Sequence, residues 1–271
     1  MKDSVKYAML CVLSMLLNAC ASVPKPTGST LLSDKPLELI TEQQGRLVSR
    51  FVDGKLLAGL TGYALPDAKL ILPEDTKNIS QAQLDLISNA LNRSMCNRLG
   101  QYLTAQTSPR DLDLRIDFAL TGITATSRTA SSVSSVAGFF VPGPFRIPVG
   151  MGAIALDAKA TSNQQTAAFM RWAKGANPVF NSGKVSTIAD AYELVETFSR
   201  EYSELLLVGA NKVKIHAKLP QASIELNEAL CLSRYGAVDT INKGASFLLP
   251  LSPEFIDKGK PIIPAPLVEK K

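Results

Sequence analysis

The chain has 271 residues, 46% of them hydrophobic, and a formal net charge of +5 at pH 7. That length suits one domain with extensions, and the apolar content is enough for a real core. The positive surplus is scattered, with no basic run and no aromatics interleaved among the cations, so a nucleic-acid partner has no support.

The N-terminus reads as a secretory signal over residues 1–19. Lys2 and Lys6 form a short positive region, Ala8 to Leu17 is an apolar run too short to span a bilayer, and the small Ala19 precedes Cys20. Leu17-Asn18-Ala19-Cys20 resembles the lipobox of bacterial lipoproteins: aliphatic, tolerant position, small residue, cysteine. The resemblance implies a diacylglycerol on the Cys20 thiol and cleavage before it. Each buried methylene contributes about 0.8 kcal/mol, so paired acyl chains hold a protein on a membrane durably. Ala21 stands where Asp retains lipoproteins at the inner membrane in enteric-type bacteria, which favours an outer-membrane location facing the periplasm. Residues 20–36 contain Pro, Ser and Thr without periodicity and read as a flexible tether to a domain over 37–212.

Leu56–Leu60 and Ala68–Leu72 read as strand and loop. Ser80 and Gln83 make a capping box, after which Leu84, Ile87, Leu91, Met95, Leu99 and Tyr102 recur at helical spacing, so a helix ends near Leu103. Asp111 to Thr121 alternates, with Leu112, Leu114, Ile116, Phe118 and Leu120 on one face, which predicts a half-buried strand. Met151–Thr161 and Gln165–Ala173 flank Ser162-Asn163-Gln164 and predict a hairpin. A second helix is expected over Ser186–Leu207, with Thr187 and Asp190 as its capping pair and Gly209 as its stop. The order strand, helix, strand, hairpin, helix predicts an α+β two-layer sandwich, a mainly antiparallel sheet packed with two helices. Residues 213–271 read as a C-terminal extension with a short helix at Ile224–Arg234 and a Pro-rich tail.

The strand Asp111–Thr126, the Gly/Pro apolar stretch after it, Met170-Arg171-Trp172-Ala173-Lys174-Gly175 and Asp190-Ala191-Tyr192 are similar to an uncharacterised lipoprotein family, domain of unknown function 3313. That resemblance spans roughly Leu37 to Val208 plus the lipobox. It implies a bacterial envelope lipoprotein and carries over no catalytic residue.

Of four cysteines, Cys11 leaves with the signal and Cys20 takes lipid, so Cys96 and Cys231 remain in an exported, oxidising compartment. They are either a disulfide or two separate buried thiols. His216 is the sole histidine, so no Cys/His metal cluster exists, and neither metal nor cofactor is expected. Asp113 and Asp117 flank Arg115 on a polar strand face and read as solvated charges, and Trp172 reads as a core residue. Ser182-Gly183-Lys184 fails as a phosphate loop, because Pro178 and Val185 occupy the positions that need Gly and Ser or Thr. The segment Val136–Gly150 is apolar but broken by proline, and Phe139, Phe140 and Phe145 make it a candidate interaction loop. The function expected is a lipid-anchored, non-enzymatic binding or assembly role, with an envelope protein or lipid as partner besides the membrane itself. The alternatives are an envelope hydrolase with a dispersed site and an accessory subunit of a lipid-export system.

Overall fold

A computed structural model describes residues 31, 33–43, 45–72, 78–107, 113–127, 151–176, 186–209, 216–238 and 251–260. Residues 1–19, Cys20, the loop Val136–Gly150 with its three phenylalanines, residues 177–185 and the tail after 260 lie outside these.

The described strands are β1 (Glu38–Gln43), β2 (Arg46–Val52), β3 (Gly62–Ala64), β4 (Lys69–Leu70), β5 (Thr104–Gln106), β6 (Asp113–Thr124), β7 (Ala153–Ser162) and β8 (Gln165–Gly175). They form one sheet in the order β1-β2-β8-β7-β6-β3-β5, with β4 also on β6. The four long pairings are antiparallel, whereas β3 and β4 lie parallel to β6, and β5 parallel to β3. The helices are α1 (Gly54–Ala58), α2 (Gln81–Leu99), α3 (Ala189–Val208), α4 (Gln221–Tyr235) and a single turn, α5 (Pro253–Ile256). The molecule is therefore an α+β protein built on a mainly antiparallel sheet.

Period-two alternation puts Leu114, Ile116, Phe118 and Leu120 of β6 under the helices, all fully buried. They meet Ile154, Leu156 and Ala158 of β7 and Met170 and Trp172 of β8 in the main core. Phe198 of α3 is its hub: its ring centroid lies 5.6 Å from Trp172, 6.3 Å from Phe118 and 5.8 Å from Tyr202. The first two pairs are edge-on and the third is stacked, and such aromatic pairs add about 0.5–1.5 kcal/mol beyond burial. The hairpin turns at Asn163 and Gln164, both at positive φ (48° and 64°), the conformation that two-residue hairpins require. β1 is the outer strand, and its register with β2 shifts between Leu39 and Thr41.

Several local expectations are corrected. Leu56 and Leu57 lie in helix α1, not in a strand, because Asp53 caps it with bonds from the Lys55 and Leu56 amides at 3.0 and 3.1 Å. The capping pair expected for α3 does not form. The helix starts at Ala189 with Ile188 as an N-cap that makes no side-chain bond. Asp190 is instead fully buried and engaged elsewhere. The hairpin β1–β2 has no counterpart among the sequence signals, since Glu38–Gln43 offers no clean alternation. Two residues of the stretch 20–36 touch the sheet. Leu31 packs with Ala119 and Phe169, and Asp34 accepts a bond from Thr166 Oγ1.

Candidate functional site

Helix α2 positions most of the unusual polar chemistry. Its apolar stripe faces the sheet, yet Asn89, Asn92 and Arg93 on other faces are also buried, at 3%, 1% and 7% exposure. A helix buried beyond its apolar stripe must satisfy polar groups internally. Here α4, the strap 251–260 and the connection between β3 and β4 supply the partners. Asn89 Nδ2 donates to the Tyr235 carbonyl at 2.9 Å, and Arg93 NH1 reaches the same carbonyl at 3.2 Å. Asn92 Nδ2 donates to the Pro66 carbonyl at 3.1 Å.

Arg93 also forms a two-pronged ion pair with Asp257, whose side chain is 0% exposed. Tyr192 of α3 donates to Asp257 Oδ2 at 2.5 Å and accepts from Arg93 NH2 at 3.1 Å. Burial works against the Arg93 charge, but Asp257 outweighs it and raises the guanidinium pKa above its ordinary value. Burial, with Asp257 alongside, likewise pushes the Tyr192 phenol up. Nearby, Glu254 Oε1 accepts from Gln83 Nε2 at 2.7 Å and Ser186 Oγ at 2.9 Å. Its burial would raise its pKa, yet these bonds outweigh burial and hold it below the ordinary carboxylate value.

Three residues along α2, Cys96 is joined to Cys231 of α4 by a disulfide, with the two Cα atoms 5.8 Å apart. Below it, Asn227 Nδ2 donates to the carbonyls of Gly100 and Leu103 at 2.7 and 3.0 Å, and its Oδ1 accepts from the Ala105 amide at 2.9 Å. A side chain at Gly100 would meet Cys96 O at 2.9 Å and Asn227 Cβ at 3.1 Å, so the close crossing of α2 and α4 depends on glycine there.

Asp190, two residues before Tyr192 on α3, serves a different junction. Its carboxylate accepts from the Gly152 amide at 2.6 Å and from Thr126 Oγ1 at 3.0 Å. The Thr126 amide donates to the Thr187 carbonyl at 2.8 Å, and the Ala176 amide donates to the Gly152 carbonyl at 2.9 Å. One buried carboxylate thus joins the residues where the chain leaves β6 and enters β7. Those are the two roots of the connection that holds Phe139, Phe140 and Phe145.

A groove of about 490 Å³ runs along α2 between the Asp67–Leu70 segment and Lys258–Lys260 of the strap. A wider one, about 760 Å³, shares Ala82, Leu86 and Lys258 with it and continues past the α2 N-terminus to Glu254.

The other residues singled out by sequence are structural. Asp117 pairs in bidentate fashion with Arg115, both bonds 2.9 Å. Trp172 is fully buried and donates to Glu201 Oε2 at 2.9 Å. His216 is half-buried, and burial lowers its pKa. Among the described residues no group of three or more His, Cys, Asp and Glu side chains could hold a metal, and no helix is long and apolar enough to cross a membrane. Sequence reasoning missed Arg93, Asp257 and the buried asparagines. Polar residues recur all along α2, so nothing local marks Asn89, Asn92 and Arg93 as the buried ones.

No curated protein matches the chain. Among solved structures it is similar to a PelC dodecamer from Paraburkholderia phytofirmans, at 11% identity over 56% of this chain and 93% of that one, TM-score 0.33. It is also similar to a DUF4136 family protein from Bacteroides thetaiotaomicron, at 13% identity over 59% and 98% of the two chains, TM-score 0.29. The family model described as protein of unknown function (DUF3313) matches residues 29–202, well over half of the sequence, and the chain belongs to that family.

Proposed function

We propose that this protein is a lipid-anchored component of the bacterial cell envelope that works by binding or assembly rather than by catalysis. The observation that carries the reading is the Cys96–Cys231 disulfide. Such bonds persist in oxidising, exported compartments and are rare in the reducing cytosol. It agrees with the lipobox at Leu17–Cys20, which gives the export route, and with Ala21, which favours the outer membrane.

A binding role is supported by how the buried carboxylates are used. Asp257 is held by Arg93, Asp157 by Arg171, and Asp190 by Thr126 and Gly152. Each such carboxylate has fixed donors and joins separate chain segments, which is a scaffold's use of charge. The Asp190 clamp then serves to present the apolar connection from two fixed roots, with Phe139, Phe140 and Phe145 as contacts for an envelope protein or lipid.

The test is metabolic labelling with an alkyne fatty acid. The chain takes up label and sediments with the outer membrane, and Cys20→Ser loses both. Labelling that survives Cys20→Ser, or a chain found in the cytosol with Cys96 and Cys231 reduced, overturns the anchor. In a second arm, Phe139, Phe140 and Phe145 are changed together to Ser. Partner crosslinking then falls; unchanged crosslinking rejects the loop as the contact.

A further inference from the structure

We propose that Arg46 and Lys174 together bind the phosphate group of a ligand at the helix-side rim of the sheet. The two residues are cross-strand partners, Arg46 opening β2 and Lys174 standing next to last in β8. Strand alternation puts Lys174 on the side of Trp172, which bonds to Glu201 of α3, and Arg46 reaches the same carboxylate. Both side chains therefore lie on the face that carries the helices. Directly opposed residues stand about 4.5–5.5 Å apart at Cβ, and like charges placed so repel each other. Such a pair calls for an anion between its two heads.

The chain's own carboxylates leave this pair short by one charge. Glu201 Oε2 accepts from Arg46 Nη2 at 2.8 Å and from Trp172 Nε1 at 2.9 Å. Arg200, the third cation of the cluster, pairs with Glu204 at 3.6 Å. Lys174 has neither a hydrogen bond nor an ion pair among the described residues. Three cations thus stand against two carboxylates, and the ammonium is the one without a partner. Burial holds the Lys174 pKa below its ordinary value; Glu201 pulls it back up, while the Arg46 and Arg200 charges push it further down. The Arg46 side chain is 42% exposed, so the pair is reached from solvent. A phosphate suits it. Its oxygens can accept from the guanidinium fork and the ammonium at once, and its charge supplies what Glu201 alone does not. A phospholipid headgroup and free phosphate both present that group.

The experiment titrates the full-length protein in neutral detergent with sodium phosphate at pH 7. The Lys174 Cε–Hε and Arg46 Nε–Hε resonances are followed by NMR, with sodium chloride at matched ionic strength and sodium acetate as controls. Saturable shifts of both side chains with phosphate are expected, and the Lys174 pKa rises when phosphate is bound, because an anion favours the charged amine. Lys174→Gln, read at Arg46, weakens binding about tenfold, and Lys174→Arg restores most of it. The source is read by comparing inorganic phosphate with dihexanoyl-phosphatidylglycerol: tighter binding of the phospholipid names a lipid headgroup, equal or weaker binding a soluble phosphate. Shifts that chloride reproduces, a titration that does not saturate, acetate bound as tightly as phosphate, or an affinity untouched by Lys174→Gln each overturns the proposal.

Discussion

The C-terminal part of the described chain is fastened to α2 twice, by two kinds of chemistry. Cys96 holds α4 through a covalent bond, while Arg93, three residues earlier, holds the strap through a buried ion pair with Asp257 and Tyr192. The covalent fastening acts mainly on the unfolded chain, whose freedom it restricts over a separation of 135 residues. The ionic one acts on the folded state, where a charge removed from water is tolerable only with its partner present. The first responds to reductant, the second to substitution and acid.

The largest effect follows from breaking the ionic fastening on one side. Arg93→Leu strands the Asp257 carboxylate in a site it was never meant to occupy alone, and urea unfolding is expected to show a loss of about 3–5 kcal/mol. Replacing both, Arg93→Met with Asp257→Leu, recovers most of that loss, because the penalty belongs to the orphaned charge. A double variant as unstable as the single one would show that the pair contributes through geometry.

Next in size is the disulfide. Cys96→Ala with Cys231→Ala is expected to cost about 2–4 kcal/mol in the same assay. Combined with Arg93→Leu, the losses either add or reveal coupling across one helical turn, which sharpens how independent the two fastenings are.

Acid distinguishes them further. Because the folded pKa of Glu254 lies below its ordinary value of 4.5, its contribution is present above that value and is lost as pH falls through the lower folded pKa. Resonances of residues 251–260 are expected to move in that range while those around Cys231 stay fixed. Movement of both together would mean that strap and α4 behave as one unit.

The smallest effect comes from His216. Burial places its folded pKa below 6.5, so the unfolded chain binds the extra proton between the two values and stability rises with pH across that window. His216→Asn is expected to flatten a shallow slope in melting temperature between pH 5 and 7, about a degree or less for a half-exposed group.

The elements that were legible in the sequence are those whose periodicity reports one buried face. The Ser80–Gln83 capping box is present with both of its bonds, at 3.3 and 3.0 Å, and the β7–β8 hairpin turns at Asn163-Gln164. Asp190 shows where that reading stops. Its position beside Thr187 suggested a cap, but its real partners, Thr126 and Gly152, are brought to it by the sheet. Arg93 and Asp257 stand 164 positions apart, and no local pattern couples them. The short strands β3, β4 and β5 carry too few residues for alternation to register; β3 and β4 exist because β6 offers them an edge, and β5 because β3 does.

The register shift in β1 has a consequence for how the sheet ends. An outermost strand can template a neighbouring chain, and Leu39 and Ile40, 57% and 41% exposed, would make this one adhesive. The irregularity between Leu39 and Thr41 interrupts the evenly spaced row of amides and carbonyls that an incoming strand would need. Each half of β1 is then too short to hold such a strand, and the sheet can stop growing at β1 without a covering helix.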